Sequence, residues 1–252
     1  MRQPSFKHSL SSLLVGSLFL LSGSAAVAAE QARPKPASMQ QVVASNDLRQ
    51  LHMLNRNDTV LLLVDHQIGL FTGVRDIPVA DLKHNVVALA KAAHAMGIPV
   101  VMTATMPDGL WGPTIPELTA ALPGVPVINR TVINAWDEKK VRDAIQKTGR
   151  KTVLIAGVSL EVCASFPALS ATADGFDARV ILDASGTFNA DKRIAGLQRL
   201  ATASIPVTDY ATAGVELLGD NNDPLAHEVY QALDIPFANL VWQLKNTSVP
   251  SK

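Results

Sequence analysis

Apolar runs and turn residues alternate along this chain in a way that predicts alternating strands and helices. Thr59-Val60-Leu61-Leu62-Leu63-Val64-Asp65 is apolar without interruption until its closing acid, the pattern of a strand covered on both faces. Asp81 to Met96 changes period, with apolar residues at 82, 86, 87, 89, 90 and 93, and Gly97 ends the helix this spacing predicts. Ile98 to Thr105 reads as the second strand. Pro107 to Pro126 is loop-rich, with room for one short helix at about Pro116 to Leu122, and Val125 to Ile128 is a short third strand.

Asp137 is placed to cap a helix running through Lys147, with Gly149 beyond it. Lys151 to Gly157 is the fourth strand, Cys163 to Asp174 a helix, and Asp177 to Asp183 the fifth strand. A helix from Asp191 to Ser204 leads to a sixth strand at Ile205 to Asp209, and Ala211 to about Asn246 reads as two or three short helices broken at Pro224 and Pro236. The expected fold class is α/β: a three-layer, doubly wound sheet of about six parallel strands with helices on both faces. Ligands of such sheets bind beyond the carboxyl ends of the strands. Asp65, Thr105, Arg130, Val158-Ser159 and Asp183 all fall there.

The first 29 residues have a different character. Arg2, Lys7 and His8 precede a serine-dotted apolar run from Leu10 to Leu21, and small residues follow, ending Ala26-Val27-Ala28-Ala29. This is the pattern of a cleavable signal peptide, too short and too polar to span a membrane. The expected layout is a signal peptide at 1–29, a flexible leader at 30–56 containing Pro34 and Pro36, and one catalytic-sized domain at 57–252. The expected location is periplasmic or secreted, with no membrane attachment in the mature form.

Composition narrows the function. The 252 residues carry 22 basic and 22 acidic side chains, so net charge is zero; charged residues are 17% and hydrophobic ones 48%. This leaves no electrostatic footprint for nucleic acid and argues against disorder. One cysteine, Cys163, rules out an internal disulfide, and the absence of a second thiol weakens a redox role. The six histidines show no metal-ligand spacing, and no glycine-rich phosphate loop is present, so neither metal nor cofactor is expected. His66, beside Asp65, reads as a structural histidine.

Three residue types could carry chemistry. Cys163 lies just after the fourth strand, where free helix N–H groups would lower its pKa and favour the nucleophilic thiolate; a small buried hydrophobe is the alternative. Asp65, desolvated at a strand end, suits proton transfer from a thiol, although turn aspartates are common there. Arg130 is a permanent cation beyond the third strand, or a surface arginine. Trp111, Trp136 and Phe188 flank the expected mouth, where they either line a substrate pocket or pack under loops or at subunit contacts, and Gln67 and Asn134 are further candidates for the pocket.

Taken together, Leu62-Leu63-Val64-Asp65-His66-Gln67, Ile128-Asn129-Arg130, Ile133-Asn134-Ala135-Trp136-Asp137, Ala156-Gly157-Val158, Glu161-Val162-Cys163 and Asp183-Ala184-Ser185-Gly186-Thr187-Phe188 resemble the isochorismatase-like cysteine hydrolase superfamily. The likeness is greatest to its bacterial YcaC-type subgroup and runs from about Asn57 to Leu240. The resemblance implies an Asp–Arg–Cys triad of Asp65, Arg130 and Cys163, with arginine where most of the superfamily has lysine. It also implies a non-proline cis peptide at Val158–Ser159, and an oxyanion hole of the Ser159 and Cys163 backbone N–H groups. The implied activity is metal-independent hydrolysis of a small-molecule, non-peptide amide C–N bond or related acyl compound through a thioester, by a homo-oligomer. Two alternatives stay open: an exported non-catalytic binding protein of this fold, and an isochorismatase-type hydrolase of a non-amide substrate.

Overall fold

The computed structural model describes residues 52–247. The signal peptide expected at 1–29, and all of the 30–56 leader before residue 52, lie outside the described residues. The chain forms strands β1 (Thr59–Val64), β2 (Val100–Thr105), β3 (Val127–Arg130), β4 (Thr152–Gly157), β5 (Asp177–Ile181) and β6 (Val207–Thr208). The helices are α1 (Ile68–Gly73), α2 (Val79–Ala95), α3 (Pro116–Ala121), α4 (Lys139–Lys147), α5 (Ser165–Ala173), α6 (Ala190–Thr202), α7 (Tyr210–Leu218), α8 (Ala226–Leu233) and α9 (Pro236–Thr247). A 3₁₀ turn at Ala135–Asp137 and a π-helical turn at Leu160–Ala164 precede α4 and α5.

The strands form one sheet in the order β3-β2-β1-β4-β5-β6, with every neighbouring pair parallel. The α/β expectation therefore holds. Period-two alternation explains the three layers: Leu61 and Leu63 of β1 face a core with α1, α2, α3, α7 and α8, while Val60, Leu62 and Val64 face a core with α4, α5 and α6. The winding direction reverses between β1 and β4. A crevice must open there at the carboxyl ends, because successive connections diverge to opposite faces.

Several boundaries differ from the sequence reading. The third strand is Val127–Arg130 rather than Val125 to Ile128, which puts Arg130 at its end instead of beyond it. The cap of α4 is Glu138, whose side chain accepts from the Lys140 N–H, because Asp137 is taken up by the preceding 3₁₀ turn. The end of the expected leader is packed against the domain. Leu54 is buried and its N–H donates to Glu216 Oε1 at 2.6 Å, while Arg56 pairs with Asp223 at 2.8 Å. An apolar side chain that finds a core site folds in despite a polar neighbourhood.

His66 is buried, with Nε2 2.9 Å from the Ala184 carbonyl and no partner for Nδ1 among the described residues. The ring is neutral with its proton on Nε2, and burial brings its pKa down to about 4. The unfolded chain binds this proton near pH 6.5 and the folded chain does not. Stability is thus complete above pH 6.5 and falls as pH drops towards 4, by up to about 3 kcal/mol from this group. Urea unfolding at several pH values should show this slope, and His66→Gln should flatten it.

Candidate active site

β1 delivers Asp65 to the crevice in an unusual conformation. Its φ of 57° lies in the left-handed region, which aspartate tolerates better than most residues. The carboxylate is held at both oxygens: Oδ1 accepts from the Thr105 N–H at 2.9 Å, and Oδ2 accepts from Arg130 Nη2. Arg130 is equally constrained, its Nη1 donating to the carbonyls of Val132 and Ile133. Both side chains of this ion pair are essentially inaccessible to solvent. Burial raises the Asp65 pKa above its ordinary 3.8, and the Arg130 charge opposes that rise.

β4 ends at Gly157, and the Val158–Ser159 peptide that follows is cis. The chain then closes the π-helical turn in which Cys163 sits. Here the structure departs from a plain helix start at Cys163: the N–H groups of Val162, Cys163 and Ala164 all converge on the Ser159 carbonyl, that of Cys163 at 2.7 Å. Of the two amides expected to form an oxyanion hole, that of Cys163 is already bonded, whereas the Ser159 N–H has no partner among the described residues.

The Cys163 thiol is half-buried and lines the same cavity as the Asp65 carboxylate, near enough for that anion to act on its ionisation. Burial and the adjacent anion hold its pKa well above the usual 9, outweighing Arg130 and the turn. The low-pKa thiolate expected from a helix N-terminus is therefore not the resting form. The resting thiol is neutral, and its ionisation must accompany proton transfer.

Gly157 allows this approach. A Cβ there would lie 2.8 Å from the Cys163 carbonyl carbon and 2.9 Å from its oxygen, both backbone atoms that cannot turn aside. Gly157→Ala is expected to lower turnover by about 10²-fold through displacement of the sulfur while the protein still folds, to be checked by steady-state kinetics beside circular dichroism. Gly69 has a similar place in α1, its Cα facing the Trp111 backbone so closely that a Cβ would lie 2.8 Å from that carbonyl oxygen.

Asp65, Arg130 and Cys163 share a cavity of about 310 Å³ with Thr105, Ser159 and an apolar wall of Leu70, Trp111, Ile133, Val158, Val162 and Phe188. Trp111 and Phe188 thus line the cavity, as their place in the sequence predicts. Leu70, Ile133 and Val162 are wall residues the sequence does not reveal, because nothing in their local pattern separates a cavity wall from ordinary packing.

Three residues expected in the pocket lie elsewhere. Gln67 is fully buried beneath it, donating from Nε2 to the carbonyls of Thr105 and Gly112 and accepting from the Thr105 N–H at 3.1 Å. It joins the strand end that holds Asp65 to the loop that carries Trp111. Asn134 caps the 3₁₀ turn by accepting from the Trp136 N–H and donates to Ser170 Oγ at 2.9 Å, facing an adjoining groove. Trp136 is buried in the second core, its Nε1 donating to Asp174 Oδ2 at 2.7 Å and its ring edge-on to Phe176. Each satisfies its polar groups within the fold, which removes it from the cavity.

Known proteins agree with this architecture. A family model described as the isochorismatase domain matches residues 59–212. The chain is 44% identical over 168 residues to the probable hydrolase YcaC of Escherichia coli, an alignment covering 66% of this chain and 81% of that protein. The crystal structure of the E. coli YcaC product, an octameric hydrolase of unknown specificity, superposes with a TM-score of 0.73 at 38% identity, covering 78% of this chain and 98% of that one. YcaC from Pseudomonas aeruginosa, solved with hexane-2,5-diol and covalent acrylamide, gives 0.71 at 39% identity, covering 77% and 97%. With the same sheet and a family match that spans β1 to α7, this chain belongs to the isochorismatase family of hydrolases, alongside the YcaC proteins.

Proposed function

We propose that the protein is a cysteine hydrolase acting on a small, non-peptide amide C–N bond or related acyl compound, with Cys163 as nucleophile, Asp65 as base and acid, and Arg130 as their electrostatic support. The observation that carries this reading is that the thiol and the carboxylate line one cavity, with the Arg130 guanidinium paired to that carboxylate. As the sulfur attacks the carbonyl carbon, its proton passes to Asp65, so charge separation develops only when substrate is present. The unpartnered Ser159 N–H is the donor available to the developing oxyanion, a contribution of about 2.7–4 kcal/mol for one such donor.

Collapse breaks the C–N bond, and the leaving amine takes the proton from Asp65. Water then attacks the thioester, gives a proton to Asp65 and releases the acid, and the proton returns to sulfur. Arginine cannot shuttle a proton in this cycle. Its role is to keep the buried carboxylate ionised, as the ion pair indicates. The P. aeruginosa relative carries a covalent acrylamide, itself a small amide, which makes small amides the first class to test. Purified protein incubated with small amides should release ammonia or amine in proportion to enzyme. No release across aliphatic and aromatic amides would refute the reading.

We also propose a homo-oligomer. The E. coli relative is octameric, and α9 here exposes Phe237, Leu240 and Val241 at helical spacing on one face. Light scattering should give a mass several times that of the chain; a monomeric mass at micromolar concentration would contradict it.

A further inference from the structure

Within that proposed reading, we infer that the site selects uncharged substrates and excludes carboxylates. Asp65 and Arg130 are the charged side chains lining the cavity, and they neutralise each other. Three of the five guanidinium N–H groups are used, one of Nη2 on Asp65 and both of Nη1 on the Val132 and Ile133 carbonyls, and the whole side chain, Nε included, is closed to solvent, so an anion in the cavity cannot reach the rest.

A substrate carboxylate would therefore lose its water beside a like-charged aspartate with no counter-ion in reach. An ammonium group would lose its water against the same apolar wall, and the carboxylate it would meet is already paired with Arg130. What remains for recognition is neutral: the Ser159 N–H and the Thr105 hydroxyl, neither with a partner among the described residues, and the surfaces of Leu70, Trp111, Ile133, Val158, Val162 and Phe188.

The single cysteine makes this testable without a known substrate. Iodoacetamide and iodoacetate each alkylate sulfur by the same displacement: an S–C bond forms, the C–I bond breaks, iodide leaves, and the thiol proton passes to Asp65 or solvent. They differ in charge and hardly in size. At fixed pH and ionic strength, the ratio of alkylation rates, amide over carboxylate, is expected to be at least tenfold higher for folded protein than for the same chain unfolded in urea. An equal or lower ratio would overturn the inference.

Ile133→Lys, a change at an exposed wall position, places a cation in the site and should bring the ratio back towards the unfolded value. An unchanged ratio would overturn its electrostatic basis. Alkylation does not require hydrolysis, so the two readings fail separately. Charge selection without turnover of any amide would refute the hydrolase, whereas turnover of a carboxylated amide as fast as its neutral counterpart would refute only the selectivity.

Discussion

Replacement of Cys163 by alanine is expected to reduce turnover by on the order of 10⁴–10⁶-fold, to the level of the binding site alone. The sulfur is the one atom that can bond to the substrate carbon in the proposed cycle, so no neighbouring group substitutes for it. Stability should change by no more than about 1 kcal/mol, because the side chain is half-buried and alanine retains the π-helical turn. Activity assays with circular dichroism separate the two effects. Retained activity in Cys163→Ala would remove the thiol from the chemistry, as expected if this were a hydrolase of the non-thioester kind.

The second large effect concerns the buried ion pair. Asp65→Asn removes the proton acceptor and leaves the Arg130 guanidinium inaccessible to water with no counter-charge. Turnover should fall by about 10²–10⁴-fold, and stability by roughly 3–5 kcal/mol, the usual cost of breaking a buried pair from one side. The double variant Asp65→Asn/Arg130→Gln should recover most of the stability, since no charge is stranded, and none of the activity. Urea unfolding of the two singles and the double forms a cycle whose coupling reports the pair directly. If Asp65→Asn left both stability and turnover unaltered, the carboxylate would have neither role. In the native protein, turnover should fall as pH drops through the Asp65 pKa, which burial places above the ordinary carboxylate value.

The sequence was most informative where one physical constraint acted alone. The unbroken run from Val60 to Val64 could only be a two-sided strand, and a parallel sheet then puts Asp65, Arg130 and the residues after Gly157 at one rim. Where two constraints competed, reading failed. Cys163 does sit just after a strand, but desolvation and the Asp65 anion override the helix-end field that would have acidified it. α1 was missed because six residues with two glycines give no periodic stripe. Gln67, Asn134 and Trp136 were assigned to the pocket from proximity in sequence to strand ends. Their hydrogen bonds to Thr105, Ser170 and Asp174 are tertiary, and only packing shows which way such side chains turn.

Acid-quenched protein, sampled during turnover of its best amide and weighed intact, examines the covalent step itself. A mass increase equal to the acyl group, mapped to the peptide containing Cys163 and absent from the alanine variant, is the predicted result. Product accumulating with no adduct on that peptide, and continuing in the alanine variant, would contradict it.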